Sequence, residues 1–488
     1  MLVAILAIPL AVAAICTLTR RERFMEAATV SGSAAVFILS LAVAVDVAVR
    51  RGMSALGSWL YADAVSAIAL GVIAFVGLTA AVYSIGYLRA NVAGIRGNVE
   101  RARELSRYYA LFNLFIFAML MVPVSNSLGI LWVAIEGTTL ASLFLVAFYR
   151  TAEALEAAWK YVIVGSVGIA LALFGTILTY YAAVQVLGTS YDLTWSQLLP
   201  VGAKLDPGVM RLAFVFIIIG YGTKAGLAPM HTWLPDAHSE APNPVSALLS
   251  GVLLNTAMYA ILRYLALAGI ALGATFERSL LLGFGLLSLA IATAFIWRQT
   301  NLKRLLAYSS IEHMGIVLIG IAFGGVFGVS GAILQMISHA LTKSTMFFAG
   351  GQLALTYGTK DIDRISGAIR TTPTTALLLL AGTFSLIGSP PFGIFTSELT
   401  IFSAGFTANV AWASILMLAL LALVFVRFLA PVTAMVFGAS PSTIVPRRSD
   451  RGAVAVMAFS LAIVLLLGLF VPAPLRGLIE QSTRILRT

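Results

Sequence analysis

The sequence predicts an all-α, polytopic membrane protein of about fourteen transmembrane helices. Three observations predict it. Of 488 residues, 60% are hydrophobic and only 10% are charged, with a mean hydropathy of +0.98. A soluble chain of this length would leave much of that apolar surface in water. Apolar runs of spanning length also recur from end to end, and Lys and Arg collect in alternate loops. This composition excludes a cytosolic enzyme, a disordered chain and a nucleic-acid binder. The net charge of +11 resides in short loops between apolar runs. The single cysteine, Cys16, excludes a disulfide framework, an Fe–S cluster or a thiolate metal cluster within the chain.

In order, the spans read 2–18, 27–49, 62–87, 108–124, 127–149, 158–184, 209–228, 244–271, 279–297, 303–324, 328–356, 373–404, 410–437 and 453–472. The first reads as a retained helix, because its charges Arg20, Arg21 and Arg23 follow it and no basic segment precedes it. The widest gap, 88–107, reads as an Arg-rich loop. Loops after odd-numbered spans carry roughly 19 Lys and Arg, among them Arg96, Arg298, Lys303 and Lys360. Loops after even-numbered spans and the C-terminal tail carry roughly 7, among them Arg50, Lys204 and Arg487. That bias predicts cytoplasmic odd loops and both termini outside, in the cell inner (plasma) membrane.

Several apolar runs contain ionisable residues. Glu136 sits in LGILWVAIEGTTLASLFL, Lys224 in FVFIIIGYGTKAGLAPM, Glu312 and His313 in LLAYSSIEHMGIVLIG, His339 and Lys343 in ILQMISHALTKSTMFFAGG, and Glu398 in SLIGSPPFGIFTSELTIF. A charge at the bilayer centre costs several kcal/mol. One acid and base can pair simply to fix helix packing, but five such positions are a costly way to pack helices. They suit proton movement, because buried carboxylates, amines and imidazoles exchange protons near neutral pH. His339 and Lys343, four apart, share a helix face. Asp46, Asp63, Arg263 and Arg427 lie nearer span ends, where Asp46, Arg263 and Arg427 can snorkel to an interface. Lys160, at a span start, either belongs to the loop or reaches toward Glu136.

Two spans should be broken. Gly226, Pro229, Pro235, Pro242 and Pro244 follow Lys224, so span seven should break just after it. Gly388-Ser389-Pro390-Pro391-Phe392-Gly393 should break span twelve just before Glu398. Freed backbone at membrane depth needs protein or a water-filled cavity to satisfy it. Corresponding interruptions in two halves mark an inverted-repeat transporter. Their five-span separation predicts inverted five-helix repeats, spans 4–8 and 9–13. The domains are then 1–107 (spans 1–3), 108–271 (first repeat), 279–437 (second repeat) and 438–488 (span 14 and tail). No P-loop, Rossmann glycine motif or CxxC stands in the chain. Transport energy must therefore come from an ion gradient or from a partner.

KAGLAPMHTWLPDAHSEAPNPVSALLSGVLLN (224–255), WVAIEGTT (132–139) and ISHALTKSTMFF (337–348) resemble the antiporter-like, proton-translocating membrane subunits of respiratory complex I and the energy-converting hydrogenases. HSEAPNPVSALLSG with Asn255, LAYSSIEHMG (306–315) and GSPPFGIFTSE (388–398) look most like component F of hydrogenase-4 and formate hydrogenlyase. The chain stops soon after span 14, so the resemblance implies no long lateral helix. It also implies that Glu136 and Lys224 form a charge-coupled pair, that His339 and Lys343 continue a central polar axis, and that Glu398 is the terminal proton-exchange residue. Complex I subunits usually have a lysine where Asn255 stands. An amide cannot carry that charge, so water or a neighbour would bridge it. His231, Asp236 and His238 match the family's loop at the first break, in structural hydrogen bonding or in proton delivery. Glu312, His313, Asp63 and Lys160 are further candidates.

The implied activity is proton translocation by a subunit with no redox centre of its own, driven by partner redox chemistry. Other membrane subunits and a peripheral redox module would be its partners, carrying Fe–S centres and, in a hydrogenase, Ni–Fe. The chain itself is expected to hold no cofactor. An ion pair rearranging over about 4–6 Å supplies roughly 1.4–4 kcal/mol, against about 2.3 kcal/mol for one charge crossing 100 mV. Two other readings stand beside this one: a subunit of an Mrp-type cation/proton antiporter, and a non-transporting scaffold. The retained Glu136, Lys224, Lys343 and Glu398 disfavour the scaffold.

Overall fold

The computed structural model describes residues 1–91, 97–441 and 444–486. Arg96 and Arg487, counted in the charge bias, lie outside the described residues. The chain is helical nearly throughout. α1 (Leu2–Leu18) and α2 (Glu22–Arg50) lead into an antiparallel hairpin, β1 (Met53–Ala55) and β2 (Leu60–Ala62), with Met53 opposite Ala62. α3 (Ala64–Asn91), α4 (Asn98–Val124), α5 (Leu128–Val146) and α6 (Ala152–Leu187) follow. A short α7 (Trp195–Leu198) and a 3-10 segment (Leu199–Lys204) precede α8 (Pro207–Ala225) and α9 (Trp233–Glu240). α10 (Asn243–Leu248) and α11 (Leu254–Leu272) form one span, joined by a π segment at Leu249–Leu253. Next come α12 (Ala274–Ile296), α13 (Leu302–Phe323), α14 (Gly325–Tyr357) and α15 (Ala368–Thr371). α16 (Pro373–Leu386), α17 (Gly393–Thr407), α18 (Ala411–Phe437), α19 (Arg451–Leu469) and α20 (Ala473–Ile485) complete the order.

Among the described residues, twelve spans are long and apolar enough to cross a membrane. α1 and the α16–α17 pair occupy two further expected positions; α1 and α16 are shorter apolar helices of 17 and 14 residues. The α10–α11 span and α13 are buried all round, whereas α2 and α18 turn most of their surface outward. A helix that is apolar all round belongs in the centre, and ionisable residues can survive there only among protein neighbours.

Both expected breaks are present. α8 ends at Ala225, one residue past Lys224, on Gly226 with φ 76°. Left-handed backbone suits glycine, which has no Cβ to clash. α16 stops at Leu386 and α17 starts at Gly393, five residues before Glu398. α6 and α8 pack through small residues: Gly168 faces Thr223, Gly220 faces Ala172, and Gly175 faces Ala213 and Ile217. This is how helices approach closely without a hydrophobic drive between them.

Four features depart from expectation. The Arg-rich stretch after residue 97 is the first part of α4, not a loop. Two of its charges are paired, which makes a helix tenable: Arg101 with Glu22 at 3.0 Å, and Glu104 with Arg150 at 2.8 Å. The tail forms α20, an amphipathic helix packed on α3 and α14, with Gln481 donating to the Ala48 carbonyl at 3.1 Å. The π segment and the hairpin have no counterpart in the span reading, because neither interrupts an apolar run.

Candidate functional site

The first polar centre is built by α5, α6 and α8. Lys224 is fully buried at the last turn of α8. Its ammonium donates to Thr139 Oγ1 at 2.7 Å and to the Tyr161 hydroxyl at 2.6 Å, and lies 4.4 Å above the Tyr161 ring. Thr139 in turn donates to Glu136 Oε2 at 3.1 Å, and Ser166 reaches Oε1 at 3.4 Å. The acid and base are therefore not a direct ion pair. One hydroxyl stands between them, accepting from the ammonium and donating to the carboxylate. Tyr161 is also bonded to Ser142 at 2.8 Å. Glu136 is half-buried, on the outer side of this chain.

The break after Lys224 is satisfied by protein. The Trp233 indole donates to the Thr223 carbonyl at 2.8 Å, and the Ala228 N–H donates to Ser288 Oγ at 3.0 Å. Trp233 lies between Lys224 and His238: the ammonium is 6.0 Å from the indole ring, and the His238 ring 6.0 Å beyond it. His238 is fully buried and neither of its nitrogens completes a hydrogen bond, although it faces the Leu234 carbonyl. His231 packs edge-on against Phe295 and Tyr308, away from Lys224.

The second centre joins α13, α14 and α17. The Lys343 ammonium donates to the Leu306 carbonyl at 2.7 Å and to Ser309 Oγ. Glu312 and His238 lie within its electrostatic reach. His339 and His313 have ring centroids 5.0 Å apart. His313 Nδ1 bonds the Gln335 amide at 2.8 Å, and the Gln335 carbonyl accepts from Ser397. Glu398 follows Ser397 on α17 and lies within electrostatic reach of Gln335. Glu398 is half-buried and lines a cavity of about 500 Å³ between α17 and α18. Both nitrogens of His339 and the Nε2 of His313 lack partners. Such groups, at the heart of the bundle, are where water would complete a hydrogen-bonded path.

Other candidates fall elsewhere. Lys160 pairs with Glu156 at 2.6 Å and Asp236 at 3.1 Å, and Arg304 joins Asp236 at 2.7 Å. It belongs to a surface network around α9 and does not reach Glu136. Asp63 forms a buried bidentate pair with Arg263, at 2.5 and 2.8 Å, with Ser66 and Tyr259 completing the shell. Arg263 therefore does not snorkel; it stacks on Trp195 at 4.4 Å and is fixed inside. Asn255 donates to the Gly251 and Met336 carbonyls at 3.0 and 3.1 Å, tying the π segment to α14. Asp46 pairs with the exposed Arg50 at 2.9 Å, and Arg427 caps the Trp297 carbonyl at 2.6 Å.

Sequence reasoning missed Thr139, Tyr161, Ser309, Gln335 and Ser397. Their signal was faint: Thr139, Ser309 and Gln335 stand three or four residues from a candidate ionisable residue, Ser397 stands next to Glu398, and Tyr161 follows only the surface Lys160. It also assigned Lys303 to a loop, whereas its side chain is buried and donates to the Ala241 carbonyl at 2.5 Å. Lys303 lines a cavity of about 210 Å³ with Tyr87, Glu240 and Lys360, on the face that carries the basic loops. Among the described residues, no three His, Cys, Asp or Glu side chains are arranged to hold a metal ion.

A family model described as NADH:quinone oxidoreductase/Mrp antiporter, TM, matches residues 125–424. That range includes both polar centres. The chain belongs to this family. A second model, for the N-terminus of complex I chain 5, matches residues 55–94 of this antiporter-family subunit. The hydrogenase-4 component F homolog of Methylacidiphilum infernorum is 39% identical over 366 residues, 75% of this chain and 76% of that protein. Among solved structures, a chain of an archaeal membrane-bound sulfane sulfur reductase superposes with TM-score 0.87 at 24% identity, covering 100% of this chain and 98% of that one. A chain of the Mrp complex from Dietzia sp. gives 0.86 at 20% identity, covering 99% and 96%. These two establish the shared all-helical fold of the family.

Proposed function

We propose that this chain is the proton-translocating membrane subunit of a hydrogenase-4- or formate hydrogenlyase-like oxidoreductase complex. The hydrogenase-4 likeness supports the branch. The observation that carries the mechanism is the run of protonatable groups that starts at half-buried Glu136, passes through buried Lys224, His238, Lys343, His339 and Glu312, and ends at half-buried Glu398. A bundle held only by packing would not keep unpartnered imidazoles and buried lysines at its centre.

Protons enter from the basic face, through the cavity beside Lys303 and Glu240, and leave near Glu398 toward the other side. Lys224 holds or releases its proton according to the charge on Glu136, relayed through Thr139. The run is discontinuous at Trp233, whose indole N–H is committed to backbone. Water must carry the proton between Lys224 and His238. The two five-span units act as inverted halves. In support, each broken pair packs on the equivalent neighbour: α8–α9 on α6, and α16–α17 on α14. The complex sits in the inner membrane with both termini of this chain outside. Its electrons pass through Fe–S and Ni–Fe centres of peripheral partner subunits, not through this chain.

The test is the purified complex in proteoliposomes, reading partner redox turnover and proton uptake together. Lys224→Ala and Glu398→Gln should each abolish coupled transport while the redox module keeps turning over. Full coupling in both variants would overturn the pathway. Sodium-dependent transport without any redox partner would favour the Mrp-type reading.

A further inference from the structure

On the face that carries the basic loops, α15, the start of α16 and the start of α19 enclose a pocket of about 750 Å³. Four guanidiniums line it: Arg370 at the end of α15, Arg447 and Arg448 on the segment before α19, and Arg451 at its first position. All four are exposed. Among the described residues, none of them makes an ion pair, while nine ion pairs form elsewhere in the chain. Arg447 only approaches the Leu355 carbonyl, at 3.4 Å. Asp450, the acidic residue in this segment, is occupied as the N-cap of α19, accepting from the Ala453 N–H at 2.9 Å. Four like charges around one hollow repel one another unless an anion fills it.

We propose that this pocket binds the phosphodiester headgroup of an anionic phospholipid. This is independent of the proton path. Its position argues for a lipid over a free anion. α16 and α19 both enter the membrane here, and Thr374, Val454 and Ala455 form the wall on the bilayer side of the arginines. Below it, the outer faces of the same helices are apolar: Leu377 is 56% and Phe459 59% exposed. A headgroup among the arginines would lay its acyl chains along those faces. Basic pockets between spans at a membrane surface are suited to acidic headgroups, and guanidinium forks match phosphate oxygens bidentately.

The test is native mass spectrometry of the purified complex. It is released from detergent supplemented with phosphatidylglycerol or, separately, phosphatidylcholine. The natural chain should retain phosphatidylglycerol and not phosphatidylcholine. Each arginine replaced by glutamine should weaken retention about fivefold, so Arg447→Gln with Arg448→Gln should lose more than tenfold. Arg298→Gln, an exposed arginine on the same face, should change nothing and reports on fold and general charge. Equal retention by the double variant would overturn the proposal. So would displacement of the lipid by millimolar inorganic phosphate, which would make this a soluble-anion site. Loss of a partner subunit with lipid retention unchanged would instead make it a protein contact, and would equally overturn it.

Discussion

Thr139 shows what one hydroxyl can decide. Bonded to both Lys224 and Glu136, it fixes their separation and couples their charges without letting them collapse into an ion pair. A closed pair would be hard to reopen around a lysine so fully buried. Thr139→Val keeps the shape and removes the hydroxyl. A hydrogen bond to a charged group contributes about 1.5–3 kcal/mol, so proton translocation should fall at least about tenfold, with redox turnover retained. Thr139→Ser should restore most of it; equal transport in both variants would make Thr139 a spacer. Asp63 makes the opposite case. Its pair with Arg263 is closed, bidentate and shielded by Tyr259 and Ser66, which is the geometry of a fastener. Asp63→Asn leaves a buried guanidinium unpaired, at a cost of about 3–5 kcal/mol. The expected result is a lower unfolding midpoint in detergent, not a specific transport defect in the protein that survives.

At the scale of elements, the breaks were legible and their supports were not. Proline and glycine next to Lys224 and before Glu398 announce an interrupted helix through simple sterics. What satisfies the freed backbone comes partly from far away in sequence: Ser288 on α12 receives the Ala228 N–H, while Trp233, ten residues on, closes on Thr223. No local pattern marks a serine for that task. Ser288→Ala should leave a buried donor unsatisfied and destabilise the protein by about 1–3 kcal/mol. Because the strain falls beside Lys224, thermal unfolding and transport should weaken together. A stable but transport-dead variant would place Ser288 in the proton path itself. The same logic explains α4. A run of arginines reads as loop until Arg101 is seen to pair with Glu22 on α2, and Glu104 within α4 with Arg150. The amphipathic α20 was overlooked because a search for long apolar runs is blind to a helix with one polar face.

At the scale of the whole molecule, hydropathy sufficed to outline the membrane bundle and most of the ionisable residues inside it, Lys303 excepted, because both follow from the cost of a charge in lipid. The grouping of those residues into two centres was not legible, since it depends on which helices touch. Direction of transport depends on a further property, the sense of insertion. The charge bias predicts that the hairpin Met53–Ala62 lies outside and the loop holding Arg298 inside. The sole cysteine, Cys16, is buried, so introduced cysteines report cleanly. In intact cells a membrane-impermeant maleimide should label Ser54→Cys and leave Arg298→Cys untouched until the membrane is permeabilised. Both positions are exposed, so permeabilised cells give the reference signal for each. The reverse pattern would turn the molecule over. The cavity beside Lys303 and Glu240 would then open outside, and a proton taken up there would run down the route assigned here to pumping. The same charges would then dissipate a gradient or drive a partner with it.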